Sequence, residues 1–164
     1  MGTKDYGLSK YNPAIEISIL TISRIDKNKQ LHKLIEVFKS VKKSVIWTHF
    51  GGGELEKKIR LLSKELPNNI SVNIYGETEH KKMIKIIKNT HFDIFINVSK
   101  FEGLPVSMME ALSFGIPIFA TKTGGVQEFF KDDVGKLYSA NFKEQMIFDL
   151  EVFKESNFSS KKIR

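Results

Sequence analysis

Cysteine is absent from this chain of 164 residues. That excludes disulfide staples, thiol nucleophiles and thiolate metal sites, and it suits a reducing compartment such as the cytoplasm. No apolar run approaches the roughly 18–20 residues that span a bilayer. The opening residues, Met1 to Asn12, are polar and contain glycine, unlike a secretory signal peptide. Residues 1–14 read as a linker or a start added for expression, 15–156 as one domain, and 157–164 as a basic polar tail. The four histidines, His32, His49, His80 and His91, share no metal-ligand spacing, and no D-x-D pair occurs, so no metal is expected. Internal repeats, low-complexity segments and a second domain are also missing.

What is present is a chain with 41% hydrophobic residues and a net charge of +7. The first figure suits a soluble globular domain with a real core. The charge suits solubility, attraction to a nucleotide diphosphate or contact with an anionic membrane surface. It does not point to nucleic acid, because no binding module or interleaved aromatic platform accompanies it.

Apolar periodicity alternates between two and about 3.6 along the chain. Strands are predicted at Ile15 to Ser23, Ser44 to Phe50, Ile70 to Tyr75, Phe92 to Val98, Ile118 to Ala120 and Val134 to Tyr138, the last after an Asp132-Asp133 turn. Helices are predicted at Leu31 to Val41, Glu54 to Leu66, Glu79 to Lys88 with Thr78 as cap, Val106 to Phe114, Val126 to Phe130 and Phe142 to about Glu155. Gly124-Gly125 reads as a turn. This alternation predicts an α/β fold, a Rossmann-like, doubly wound, mostly parallel sheet with helices on both faces. Ligands of such sheets sit beyond the carboxyl ends of the strands. The loops expected there carry Arg24 and Lys29, Gly51 to Gly53, Gly76, Glu102 to Pro105, and Thr121 to Gly125.

Glu102-Gly103-Leu104-Pro105-Val106-Ser107-Met108-Met109-Glu110 sets two carboxylates eight positions apart, between a strand and a helix. A helix opening at the end of a parallel strand presents free N–H groups and a positive dipole end, which suits phosphate. Pro105 suits the first helical turn, since it has no N–H to waste. In the loop after the first strand, Arg24 and Lys29 place two cations five residues apart. Arg offers a fork to phosphate oxygens and Lys a compact charge, with Lys27 as a spare.

Ser99, Glu102-Gly103-Leu104-Pro105, Glu110-Ala111-Leu112, Gly115-Ile116-Pro117 and Gly124-Gly125 occur in the order of the donor-site segment of family 4 (group 1) glycosyltransferases. The chain resembles the C-terminal, donor-binding half of these retaining, GT-B-type enzymes over about residues 15 to 150. The resemblance implies an NDP-sugar donor, most often a UDP-sugar, bound without a metal or other cofactor. It implies roles residue by residue: Arg24 and Lys29 on the departing diphosphate, Glu102 near the donor sugar, Glu110 on the ribose, and backbone N–H groups of Gly103 and Leu104 on phosphate. Gly52 falls at the family's G-x-G turn, although three consecutive glycines equally suit a turn that simply needs positive φ. Tyr75 and Gly76 fall where the family cradles the base, and Tyr75 is equally an ordinary strand aromatic.

The implied acceptor is a glycan or a lipid-linked molecule held by a second domain that these residues do not contain. The work implied is surface polysaccharide assembly in the cytoplasm, at the inner face of the membrane where the acceptor is lipid-linked. A non-catalytic GT-B-like interaction module and half of a nucleotide-sugar 2-epimerase remain as alternatives.

Overall fold

A computed structural model of the chain describes residues 16–103, 106–131 and 134–154. Ile15, Leu104, Pro105, the Asp132-Asp133 pair and Glu155, with the two terminal segments predicted as linker and tail, lie outside the described residues.

Among the described residues six strands and six helices alternate: β1 Glu16–Ile22, α1 Leu31–Phe38, β2 Ser44–Phe50, α2 Glu56–Ser63, β3 Ile70–Ile74, α3 His80–Asn89, β4 Ile94–Asn97, α4 Val106–Ser113, β5 Ile118–Thr121, α5 Gly124–Phe129, β6 Gly135–Tyr138 and α6 Lys143–Glu151. The strands form one sheet in the order β3-β2-β1-β4-β5-β6. All five pairings are parallel, with Glu16 opposite Ser44 and Ile19 opposite Ile94 in the central ones. This is the Rossmann-like doubly wound order, and its topological switch point lies between β1 and β4.

Period-two alternation divides the core between the two faces of the sheet. Ile17, Ile19, Val45, Trp47, Ile94 and Ile96 point to the face covered by α1, α2 and α6, where Leu34, Phe38, Ile59, Met146 and Leu150 meet them. Leu20, Phe50, Phe95, Ile118 and Ala120 point the other way, against Met83 and Ile87 of α3, Met108 and Ala111 of α4, and Val126 of α5. Each large apolar side chain so enclosed contributes about 1.5–3 kcal/mol.

Several predicted boundaries move. β4 is four residues long rather than seven, because the sheet pairs only Ile94 and Phe95 with β1 and Phe95 to Asn97 with β5. Thr78 does not cap α3: Glu79 holds the cap position without a side-chain bond, and the Thr78 hydroxyl instead donates to the Gly76 carbonyl at 3.1 Å. Gly124-Gly125 is no free-standing turn but the opening of α5. There the backbone must lie close to the loop after β4. A Cβ on Gly125 would sit 1.7 Å from the Gly103 carbonyl oxygen, so only glycine fits.

Candidate functional site

The carboxyl ends of β1, β2 and β3 and the starts of α3 and α4 enclose an open cleft of about 870 Å³. Arg24 and Lys29 reach it from the loop after β1, Gly51 to Gly53 from the loop after β2, and Glu77, Thr78 and His80 from the entry to α3. Val106, Ser107 and Glu110 of α4 close the remaining side. The two cations and the amino-terminal turn of α4 therefore share one cavity at the switch point of the sheet.

Gly51 has φ +124°, and a Cβ there would meet the Ser23 carbonyl oxygen at 1.9 Å. The glycine run thus lets the β2 loop lie directly on the β1 loop. Backbone bonds join them, Ile25 N–H to the Gly52 carbonyl at 2.9 Å and Ser23 N–H to the Phe50 carbonyl at 3.0 Å.

Glu102 is joined to this loop by an ion pair. Lys29 Nζ donates to Glu102 Oε2 at 2.8 Å and to Oε1 at 3.0 Å, and both side chains are largely buried. Arg24 is exposed into the cleft. Glu110 accepts from or pairs with His80, Nε2 to Oε1 at 2.6 Å, across the gap between α4 and α3. Gly103 packs under Gly125, whose N–H donates to the Glu102 carbonyl at 3.3 Å.

Tyr75 and Gly76 do not line the cleft. The chain turns at Gly76, φ +70°, and so presents Glu77 and Thr78 there instead. Tyr75 stacks on Phe50 with ring centroids 4.6 Å apart, and it is Phe50 that faces the cavity. Gly76 serves the frame, its carbonyl accepting from Gly51 N–H at 2.9 Å.

Beneath the floor lies His49, buried on β2. Trp47 Nε1–H donates to Thr21 Oγ1 at 2.9 Å, and the same hydroxyl shares a hydrogen bond with His49 Nδ1 at 2.7 Å. Burial pushes the pKa of His49 down to about 4, against upward pulls from the backbone of Gly51 and Ser23. Among the described residues, no group of three or more His, Asp or Glu side chains is arranged to hold a metal ion.

Sequence reasoning passed over His80, Glu77 and Asn28. His80 and Glu77 carry no local signature, because their relation to Glu110 and to the glycine loop is tertiary. Asn28 lies inside the cationic loop but shows its importance only in its contacts with Phe101, 73 residues away.

A parallel α/β sheet with its cleft at the switch point, cations on the loop after β1, and one carboxylate on the loop after β4 and another on α4, defines a Rossmann-like half of the GT-B architecture. Residues 12–159 match the family of glycosyl transferases group 1, and the chain belongs to that family. It is 27% identical over 117 residues to the amylovoran biosynthesis glycosyltransferase AmsD of Erwinia amylovora, covering 70% of this chain and 32% of that one. Over 167 residues it is 27% identical to the O-antigen biosynthesis glycosyltransferase WbnH of Escherichia coli, covering 91% and 46%. The chain thus spans less than half the length of these curated relatives.

Two solved structures share the fold. The lipopolysaccharide outer core galactosyltransferase WaaB superposes with a TM-score of 0.80 at 21% identity, covering 90% of this chain and 43% of that one. Anabaena Alr3699/HepE, in complex with UDP and glucose, superposes with a TM-score of 0.70 at 18% identity, covering 92% and 43%.

Proposed function

We propose that this domain binds the donor substrate of a retaining glycosyltransferase, taking a sugar from an NDP-sugar, in first place a UDP-sugar, for transfer to a glycan or lipid-linked acceptor. The observation that carries this reading is the meeting of Arg24, Lys29 and the start of α4 in one cleft, with Glu110 on its wall and Glu102 joined to Lys29. The UDP and glucose named for Alr3699/HepE and the O-antigen role named for WbnH support the donor class and a place in surface polysaccharide biosynthesis.

In this reading the diphosphate lies between Arg24, Lys29 and the free N–H groups of the first turn of α4. As the bond from sugar to phosphate breaks, negative charge grows on the phosphate oxygens, and cations fixed there stabilise it. Glu102 holds hydroxyls of the sugar, and Glu110 accepts from those of the ribose. Arg24, Lys29 and the helix end supply the positive charge, so the reading needs no metal. The acceptor enters on the face from which the diphosphate leaves, brought by a second domain that also closes the cleft against water. Four lysines on the outward side of α3, Lys81, Lys82, Lys85 and Lys88, are exposed and enter no ion pair among the described residues. They support peripheral contact with an anionic membrane, where a lipid-linked acceptor resides.

Calorimetric titration of the chain with UDP and GDP tests the proposal. Arg24→Ala and Glu110→Ala each should weaken binding by about tenfold or more, the effect of losing a charge-assisted contact. Absence of heat at millimolar nucleotide, or equal affinity in both variants and the parent, would overturn it.

A further inference from the structure

Asn28 joins the two loops that carry the charged groups of the cleft. Its Oδ1 accepts from the Phe101 N–H at 3.0 Å, and its Nδ2 donates to the Phe101 carbonyl at 3.0 Å. Its own carbonyl accepts from the Lys100 N–H at 2.9 Å. The opposed needs of Phe101 N–H and C=O allow only one orientation of the carboxamide, and no other side chain of this size offers a donor and an acceptor side by side. Asp26 prepares the arrangement, its Oδ1 accepting from the N–H groups of Asn28 at 2.9 Å and Lys29 at 3.1 Å. The next residue along each loop is then a member of the ion pair, Lys29 on one side and Glu102 on the other.

We infer that Asn28 is a positioning residue of the donor site: its carboxamide holds the backbones of the β1 and β4 loops at the spacing that sets Lys29 against Glu102. It rests on the donor-site reading above and adds to it. Lys29 and Glu102 neutralise each other while the cleft is empty. A diphosphate then competes for Lys29, and a sugar hydroxyl for Glu102. Those exchanges leave both loops in place only if something other than the ion pair keeps them together, and the Asn28 bonds do so without using either charge. Removing the carboxamide leaves the loops joined by the ion pair and the single Lys100 N–H to Asn28 carbonyl bond, so that ligand binding must work largely against the joint itself. The loss falls on the end of the nucleotide that meets Lys29, namely the terminal phosphate.

The test compares UDP with UMP in the parent chain, in Asn28→Ala and in Asn28→Ala combined with Lys29→Met. Asn28→Ala is expected to weaken UDP about tenfold, the scale of one charged hydrogen bond, while UMP changes less than about twofold. In the Lys29→Met background the same substitution should cost UDP less than about twofold, because Asn28 acts through Lys29. Equal weakening of UDP and UMP marks a merely structural residue and overturns the inference, as does an unchanged UDP affinity or a full loss that persists without Lys29. If the parent binds UDP while the inference fails, the donor-site reading survives; if the parent binds neither nucleotide, both fall. Asn28→Ser, too short to span the gap, serves the same comparison should the alanine variant not fold.

Discussion

A single buried ring reports on the floor of the cleft. His49 is neutral in the folded chain, with its pKa pushed down to about 4, while an unfolded histidine titrates near 6.5. Between those values the unfolded chain binds the extra proton, so stability rises with pH through this window and falls as the solution is acidified. The expected loss from pH 7 to pH 5 is about 2 kcal/mol from this residue. Urea unfolding at the two pH values checks it, and a midpoint that holds or rises on acidification would contradict the assignment. At the same scale, Arg24, Lys29, Glu102 and Glu110 were legible as letters because their spacing is written in consecutive residues. His80, which meets Glu110 at 2.6 Å, and Asn28 were not, because their partners lie on other elements. Gln30 shows a further limit: it adopts a left-handed φ of +49° before α1, and nothing in a glutamine announces that.

Elements place the charged groups by how closely their backbones approach. α5 can settle on the Glu102-Gly103 turn only because Gly125 has no side chain. Gly125→Ala should therefore lower stability by about 2 kcal/mol, in the range of overpacked sites, and weaken UDP binding by shifting that turn. Gly124→Ala is its control. That position is open around the missing Cβ, and alanine favours the helix by up to about 1 kcal/mol. Denaturant midpoints of the two variants should move in opposite directions; equal midpoints would show that the approach is not tight. Helix and strand identities were legible here because apolar periodicity changes sharply from two to 3.6. Their ends were less so. β4 covers only the residues that β1 and β5 pair with, and the hydroxyl of Thr78 finds the Gly76 carbonyl before it can cap α3, and neither fact is a property of the local string.

At the scale of the molecule, one parallel sheet separates two apolar layers, and the site lies along one edge of it. The alternation of elements in the sequence foretold the parallel sheet and its two helical layers. It did not dictate the order β3-β2-β1-β4-β5-β6, which depends on which crossovers pack, and it is this order that sets β1 beside β4. The cleft is open to solvent, and in the function proposed above the acceptor is brought by a second domain. The isolated chain is accordingly expected to bind UDP yet transfer little or no sugar from a UDP-sugar. A radiolabel assay with and without added acceptor glycan checks this, and sustained turnover by these 164 residues alone would refute the division of labour.

The joint between Asn28 and Phe101 spans 73 positions of sequence, and the strand pairing beneath it, Ile19 with Ile94, is of similar reach. Contacts of such separation form only after a long loop has closed, which slows folding. During synthesis the cationic loop leaves the ribosome well before the acidic turn exists, so a nascent chain displays the charges of Lys29 and Arg24 with no counterpart until the fourth strand has docked. On the donor-site reading proposed above, nucleotide affinity is a late-arriving property, and its appearance in time marks completion of the central sheet.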